Sequence, residues 1–241
     1  MDTLRSSVRL SRPLNILSLF VLYALGGGIA RYLGTDLDWN AYWLGQAWAV
    51  MLMLGGFYLN EYFRRESQPL SAQEKAAPEF VRGTRRVVLA ALAALAVLAS
   101  ITVLVIAQVR PASLAYLVMA FAFLGAFFFS APPLKLEVSG YGELLVSILV
   151  AYLTPAFAFV LQTGEWHRLL AMAGFPLVVL HLAMLLALQL PSYAEDTKYT
   201  RRTLMIRMGW QRGMIFHNIL VLAGFLLLAL AALLRFPWSI A

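Results

Sequence analysis

The 241-residue sequence contains no cysteine. This absence excludes a disulfide framework, a thiolate metal site and a cysteine nucleophile. Charged residues are scarce as well, at 13% of the chain against roughly 25% in soluble domains, whereas hydrophobic residues make up 61%. A chain of this composition does not form a water-soluble globule.

The apolar residues are grouped in blocks of about 20, the length at which a helix crosses the hydrocarbon core of a bilayer. Period-2 alternation, the mark of a membrane β-barrel, is absent. We therefore predict an all-α, polytopic transmembrane helix bundle that forms a single domain over residues 1–241. The predicted spans are seven in number, at 13–33, 40–60, 87–109, 112–131, 142–163, 168–190 and 213–234.

The formal net charge of +7 lies in the short gaps between the apolar blocks. It therefore indicates membrane topology rather than nucleic-acid binding. Successive gaps alternate between the two sides of the membrane, and 15 of the 19 Lys and Arg residues fall on one side. The positive-inside rule makes that side cytoplasmic and places the N-terminus there. We expect an integral protein of the cell membrane, surrounded by lipid, with longer cytoplasmic loops at about 61–86 and 191–212.

Three segments on the predicted cytoplasmic side carry the candidate functional residues. In chain order they are Asn60-Glu61-Tyr62-Phe63-Arg64, then Ser130-Ala131-Pro132-Pro133-Leu134-Lys135, and then Ser192-Tyr193-Ala194-Glu195-Asp196-Thr197-Lys198 running on to Arg202-Thr203-Leu204. A further polar stretch, Gly140 to Glu143, lies at the start of the fifth predicted span.

The order and spacing of these segments resemble the UbiA superfamily of intramembrane prenyltransferases. That family has Asn-Asp-x-x-Asp-x-x-x-Asp after its second helix, Tyr-Ser-x-Pro-Pro-x-(Arg/Lys) after its fourth, and Asp-x-x-x-Asp leading to Lys-Arg-Thr-Leu after its sixth. The resemblance implies transfer of a polyprenyl group from its diphosphate to an aromatic or other lipophilic acceptor, namely a quinone, chlorin, haem or lipid precursor.

Matching positions in this chain give the expected site. Loss of diphosphate develops negative charge on phosphate oxygens, which carboxylate-held Mg²⁺ neutralises. The resemblance implies metal ligands at Glu61, Glu195 and Asp196, catalytic groups at Asp196, Glu61 and Lys135, and substrate-binding groups at Asn60, Arg64, Lys198, Arg202 and Ser130.

Several motif positions depart from the family pattern. Glu61 stands where the first Asp is expected, Arg64 and Gln68 occupy the two other acidic positions, and Ser192 replaces an Asp in the last motif. Arg64 would repel a metal ion, but its guanidinium could bind phosphate oxygens directly. Because Mg²⁺ keeps several waters and needs only one or two carboxylates, we expect one ion rather than two.

These departures leave a second interpretation open. The chain could be a catalytically degenerate UbiA-like protein that binds an isoprenoid or quinone, or acts as a subunit of a membrane complex. The family usually has nine spans, so this shortened member could also use a protein partner in place of two helices. In a plainer interpretation, Glu61 and Asp196 are solvated helix ends, and Arg64 anchors the chain to anionic headgroups.

Residues within the predicted spans give a few further expectations. Pro155 should kink the fifth span and free a carbonyl, and such kinks often lie beside cavities. Gly26-Gly27-Gly28 in the first span and Gly55-Gly56 in the second should let helices or a ligand approach the backbone closely, with close packing favoured. The histidines show no zinc-binding spacing, and we expect His181 and His217 to be packed and hydrogen-bonded.

Overall fold

The computed structural model of the chain describes residues 13–67, 78–108, 111–191, 193 and 203–234. Within these ranges the chain is helical and contains no β-strand, which confirms the predicted all-α class. The main elements are α1 (Pro13–Tyr32), α2 (Trp39–Ser67), α3 (Pro78–Gln108), α4 (Ser113–Ser130), α5 (Gly142–Thr163), α6 (Arg168–Gln189), α7 (Leu204–Met208) and α8 (Trp210–Leu233).

Six of the described helices are long and apolar enough to cross a membrane, namely α1, α3, α4, α5, α6 and α8. Helix α2 corresponds to the remaining predicted span. Its 29 residues reach about 43 Å, but polar and aromatic side chains lower its hydropathy. Among them, Gln46 and Asn60 are buried within the bundle rather than facing lipid. Helix α2 contacts α3, α4 and α5, so it lies among the other spans.

The predicted loop at 61–86 is largely wrong, because α2 continues to Ser67 and α3 already begins at Pro78. The sequence from Glu61 to Ser67 contains neither Gly nor Pro, and leaving the apolar layer does not by itself end a helix. The predicted loop at 191–212 likewise contains α7 and the start of α8.

Helix α5 consists of two α-helical halves separated by a π-helical turn at Leu149–Leu153. Pro155 follows this turn and has no N–H to donate. The Thr154 hydroxyl donates a hydrogen bond of 3.0 Å to the carbonyl of Leu149 in the same turn. The distortion expected near Pro155 is therefore present, with a side chain satisfying an irregular part of the backbone.

Helix α1 packs directly against this irregular part of α5. A Cβ atom on Gly26 would overlap the carbonyl oxygen of Pro155, so the two backbones touch only because residue 26 is glycine. Two positions further on, a Cβ on Gly28 would meet nothing within 4 Å. Gly26 thus has the predicted packing role, whereas Gly28 and Gly55, whose Cβ atoms would meet nothing within 4 Å, do not.

The end of the bundle away from the predicted motifs has its own polar contacts. The Gln162 side chain accepts a hydrogen bond of 2.8 Å from the Asp38 N–H and donates one of 3.1 Å to the Asp38 carbonyl. Arg31 and Asp36 form an exposed ion pair there. The contacts of Gln162 connect the α1–α2 turn to the end of α5.

Candidate functional site

An apolar cavity, open on one side, lies between α1, α2, α4 and α5. Aliphatic and aromatic side chains form most of its wall, including Phe57 from α2, Phe129 from α4 and Val146 from α5. The π turn of α5 contributes Leu149, Val150 and Leu153 to the same wall, so the cavity lies beside the irregular backbone as the sequence predicted.

A cluster of buried aromatic rings closes one end of the cavity. Trp48 and Phe157 both line it, with ring centroids 5.1 Å apart. Behind them, Tyr23 packs edge-on against Phe157 at 6.1 Å and against Tyr42 at 5.1 Å. The Tyr23 hydroxyl donates a hydrogen bond of 3.1 Å to the Tyr42 carbonyl, so its polar atom is satisfied away from the cavity. This aromatic end of the cavity is apolar and tightly packed.

Beyond the opposite end of the cavity wall, α2 carries polar side chains, and we refer to this region as the entrance. Gly56 and Phe57 line the cavity, and Asn60 and Glu61 follow them by four residues on the same face of α2. Asn60 is 7% exposed and Glu61 is 8% exposed. The helix therefore carries an amide and a carboxylate directly beyond an apolar wall.

The Pro-Pro turn after α4 lies at the same entrance. Ser130 is buried, and its hydroxyl donates a hydrogen bond of 3.1 Å to the Gly56 carbonyl. Lys135 has a left-handed backbone, with φ at 39°, and its Nζ lies 5.5 Å from the centre of the Phe63 ring. The structure thus brings Ser130 and Lys135 to the end of α2 that carries Asn60 and Glu61.

The other predicted site residues are not placed by the structure. Glu195, Asp196, Lys198 and Arg202 lie outside the described residues, as does the side chain of Arg64. The convergence of Glu61 with Asp196 therefore stays a prediction. Among the residues that the structure describes, no three His, Cys, Asp or Glu side chains gather as a metal-binding group.

Glu143, in the first turn of α5, is a site residue to which the sequence gave no role. Its side chain is 8% exposed. Its Oε1 accepts hydrogen bonds of 2.6 Å from Gln189 Nε2 and 3.2 Å from the Leu204 N–H. Glu143 thus joins the start of α5 to the end of α6 and the start of α7. The sequence does show an acidic residue at the start of a predicted span. Which groups Glu143 bonds, however, depends on the tertiary fold.

The buried polar contacts continue from Glu143 into the bundle. Its carbonyl accepts a hydrogen bond of 2.8 Å from the Ser147 hydroxyl, which lies 3.1 Å from His181 Nδ1. His217 Nδ1 lies 2.9 Å from the Ala183 carbonyl. Both intramembrane histidines therefore have the hydrogen-bonded packing that we expected.

Helix α7 is held against the turn before α5. Arg207 donates a hydrogen bond of 2.7 Å to the Ser139 carbonyl, and its guanidinium lies 5.3 Å from the centre of the Tyr141 ring. At its start, the Thr203 hydroxyl caps α7 by accepting a hydrogen bond of 3.4 Å from the Ile206 N–H. The chain that follows the last predicted motif therefore returns to the entrance.

Six of the described helices are apolar and of membrane length and the bundle contains a cavity, which is the architecture of an integral membrane protein. The chain is similar to a solved UbiA homolog from Archaeoglobus fulgidus bound to DMAPP and Mg²⁺, with a TM-score of 0.72 and 18% identity over 97% of this chain and 80% of that one. The same values apply to the structure of that homolog bound to GPP and Mg²⁺. No protein-family profile and no curated protein matches the sequence. The fold implied by the sequence resemblance is confirmed.

Proposed function

We propose that the protein is a membrane-embedded prenyltransferase, which moves a polyprenyl group from its diphosphate to an aromatic or other lipophilic acceptor. The observation that carries this proposal is an apolar cavity whose α2 wall is followed, one helical turn further on, by the buried polar side chains of Asn60 and Glu61. A prenyl diphosphate likewise consists of an apolar chain joined to a charged head. The DMAPP and GPP bound by the homolog of the same fold support this assignment.

In this proposal the diphosphate head lies at the entrance. The ammonium group of Lys135 and the amide of Asn60 can donate hydrogen bonds to phosphate oxygens, and charge-assisted bonds of this kind are the stronger ones. Ser130 keeps the turn that bears Lys135 against α2. Arg64, Lys198 and Arg202 are proposed to add further positive charge around the same head.

The residues at the entrance suit magnesium. Asn60 and Glu61 offer the hard oxygen donors that Mg²⁺ prefers, and Glu61 is held at the edge of an apolar cavity where a charge is weakly screened. We propose that Glu61, Glu195 and Asp196 hold one ion. When bound, Mg²⁺ neutralises the charge that develops on the departing diphosphate.

The chemical step breaks the bond between the allylic carbon and the diphosphate oxygen, and that oxygen keeps the electron pair. The carbon becomes electron-deficient and is captured by an electron pair of the acceptor, which then loses a proton. Phe57 and Phe129 line the cavity, and the faces of such rings attract positive charge. The apolar wall also excludes the water that would otherwise capture the carbocation. The proposed acceptor class comprises quinone, chlorin, haem and lipid precursors.

We propose that the entrance faces the cytoplasm. Lys135 and Arg207 lie at this end of the bundle, and the sequence places most Lys and Arg residues on the same side. A prenyl diphosphate dissolved in or adsorbed to the inner leaflet would then reach the cavity directly.

The function is tested with the purified protein in lipid vesicles, supplied with labelled geranyl diphosphate and one acceptor from each proposed class. We expect an apolar labelled product that is lost on chelation of Mg²⁺ and in the Asp196→Asn variant. Asp36→Asn, an exposed position at the far end, is the matched control and should retain activity. Binding of the diphosphate without prenylation of any acceptor would refute the enzymatic proposal.

Binding without transfer is the second candidate function, and the residues Arg64, Gln68 and Ser192 at expected acidic positions favour it. Such a protein would retain its isoprenoid or quinone with the same affinity at every Mg²⁺ concentration. A magnesium titration of ligand binding separates the two functions, because the enzyme should bind the diphosphate more tightly as the ion is added.

A further inference from the structure

The two carboxylate oxygens of Glu143 have different environments. Oε1 accepts hydrogen bonds from Gln189 and from the Leu204 N–H. Oε2 is buried and has no hydrogen-bond partner among the residues that the structure describes. One oxygen thus joins three helices, while the other has no partner in the described part of the chain and is open to a further ligand.

A buried carboxylate oxygen of this kind is satisfied by a cation or by a hydrogen-bond donor, and burial of an ionised carboxylate is costly without one of them. A cation next to Oε2 satisfies the group without disturbing the bonds on Oε1.

Glu143 lies at the entrance of the cavity. It precedes Val146, a cavity-lining residue, by one helical turn of α5. A Cβ on the neighbouring Gly142 would lie 3.1 Å from the ring of Phe129, which also lines the cavity. The start of α5 therefore packs directly on the end of α4.

The end of α4 also contacts α2. Ser130 follows Phe129 and is hydrogen-bonded to Gly56, one turn before Asn60 and Glu61. The helices that carry Glu143 and Glu61 therefore both contact the end of α4, and both carboxylates are buried.

We propose that Glu143 is a further magnesium ligand and binds, through Oε2, the divalent cation that accompanies the diphosphate head. This inference rests on the proposed function and adds a residue outside the three recognised motif segments. Mg²⁺ is commonly held by one or two carboxylates together with substrate phosphates and waters. Glu143 would supply a carboxylate to a site whose motifs have lost several.

The test uses Mn²⁺ as the probe, followed by electron paramagnetic resonance in the presence of geranyl thiodiphosphate, a donor analogue that reacts slowly. Glu143→Gln keeps an oxygen for the bonds from Gln189 and Leu204 but replaces the other oxygen with an amide nitrogen. We expect its affinity for Mn²⁺ to fall by about tenfold or more. Glu137→Gln removes the same charge from the turn before α5 and is the matched control, with unchanged affinity expected.

A second measurement does not depend on a variant. In crystals of the wild-type protein with Mn²⁺ and the same analogue, the anomalous peak should lie within about 2.5 Å of Glu143 Oε2. A peak beyond coordination distance, or an unchanged Mn²⁺ affinity in Glu143→Gln, overturns the role of Glu143 while leaving the proposed function standing. Failure of the wild-type protein to bind the analogue at all would instead refute the proposed function.

Discussion

The Ser130 hydroxyl donates a hydrogen bond of 3.1 Å to the main-chain carbonyl of Gly56, across 74 residues of sequence. The bond joins the end of α4 to α2 one helical turn before Asn60. It also fixes the start of the Pro-Pro turn, whose Lys135 reaches Phe63 near the end of α2. One hydroxyl thus aligns two of the three motif segments.

Ser130→Ala should lower the free energy of unfolding by about 1 kcal/mol, the usual loss for one hydrogen bond. It should also weaken donor binding, because the turn that carries Lys135 loses its anchor on α2. Thermal unfolding in detergent and titration with geranyl thiodiphosphate measure the two effects. Ser100→Ala is the control, since the exposed Ser100 hydroxyl bonds only to Ala96 of its own helix in the described contacts. Equal effects of the two changes would contradict the aligning role.

Glu61→Gln should reduce the rate of prenyl transfer by about a hundredfold, the size of effect seen when one charge-stabilising group is removed from a reaction centre. The amide is isosteric, so the helix and its packing should be kept. Steady-state turnover with labelled donor measures the effect. Glu165→Gln, at the exposed far end, should behave as the wild type. Full activity of Glu61→Gln would remove this residue from the site.

Lys135→Gly should separate the binding role of this residue from its backbone conformation. A left-handed backbone costs a non-glycine residue about 1 kcal/mol, and glycine would relieve that cost. We expect a stability equal to or above that of the wild type, together with weaker binding of the diphosphate. Lys135→Met, which keeps the backbone cost and loses the ammonium group, should show the same loss of binding. Unchanged binding in both variants would show that Lys135 does not contact phosphate.

Gly26→Ala should destabilise the protein by about 1–3 kcal/mol, because the added methyl group collides with the Pro155 backbone and pushes α1 away from α5. Gly28→Ala is a control in the same helix and meets no neighbouring atom within 4 Å. It should be neutral or stabilising by up to about 1 kcal/mol, since alanine favours helix. Melting temperatures in one detergent compare the two directly, and a similar loss in both would argue against the α1–α5 contact.

The helical blocks could be predicted because the bilayer requires a minimum apolar length of every span. The fifth span, predicted at 142–163, has those same bounds in the structure. The predicted end of α2, at residue 60, was too early. The surroundings change from lipid to water near Glu61, but a helix ends only where its backbone geometry changes.

The site could be predicted only in part. Two segments separated by an even number of spans emerge on the same side of the membrane. We therefore expected one end of the bundle to carry Asn60, Glu61, Ser130 and Lys135, and the described contacts agree. Glu143 gave no comparable signal. Its burial depends on α6 and α7 meeting the start of α5, which no local pattern encodes.

The π turn at Leu149–Leu153 has a consequence for how this chain can change in length. A π turn holds one residue more than an α-helical turn, and each residue of an α-helix advances the side chains by about 100°. Deleting one residue there would rotate Gly142–Ile148 by that angle while Thr154–Thr163 stayed seated on α1. Glu143 would swing away from Gln189, yet Gly26 would still touch Pro155. The two halves of α5 are therefore under different constraints. Gly142–Ile148 is constrained by the contacts of Glu143, and Thr154–Thr163 by its packing on α1.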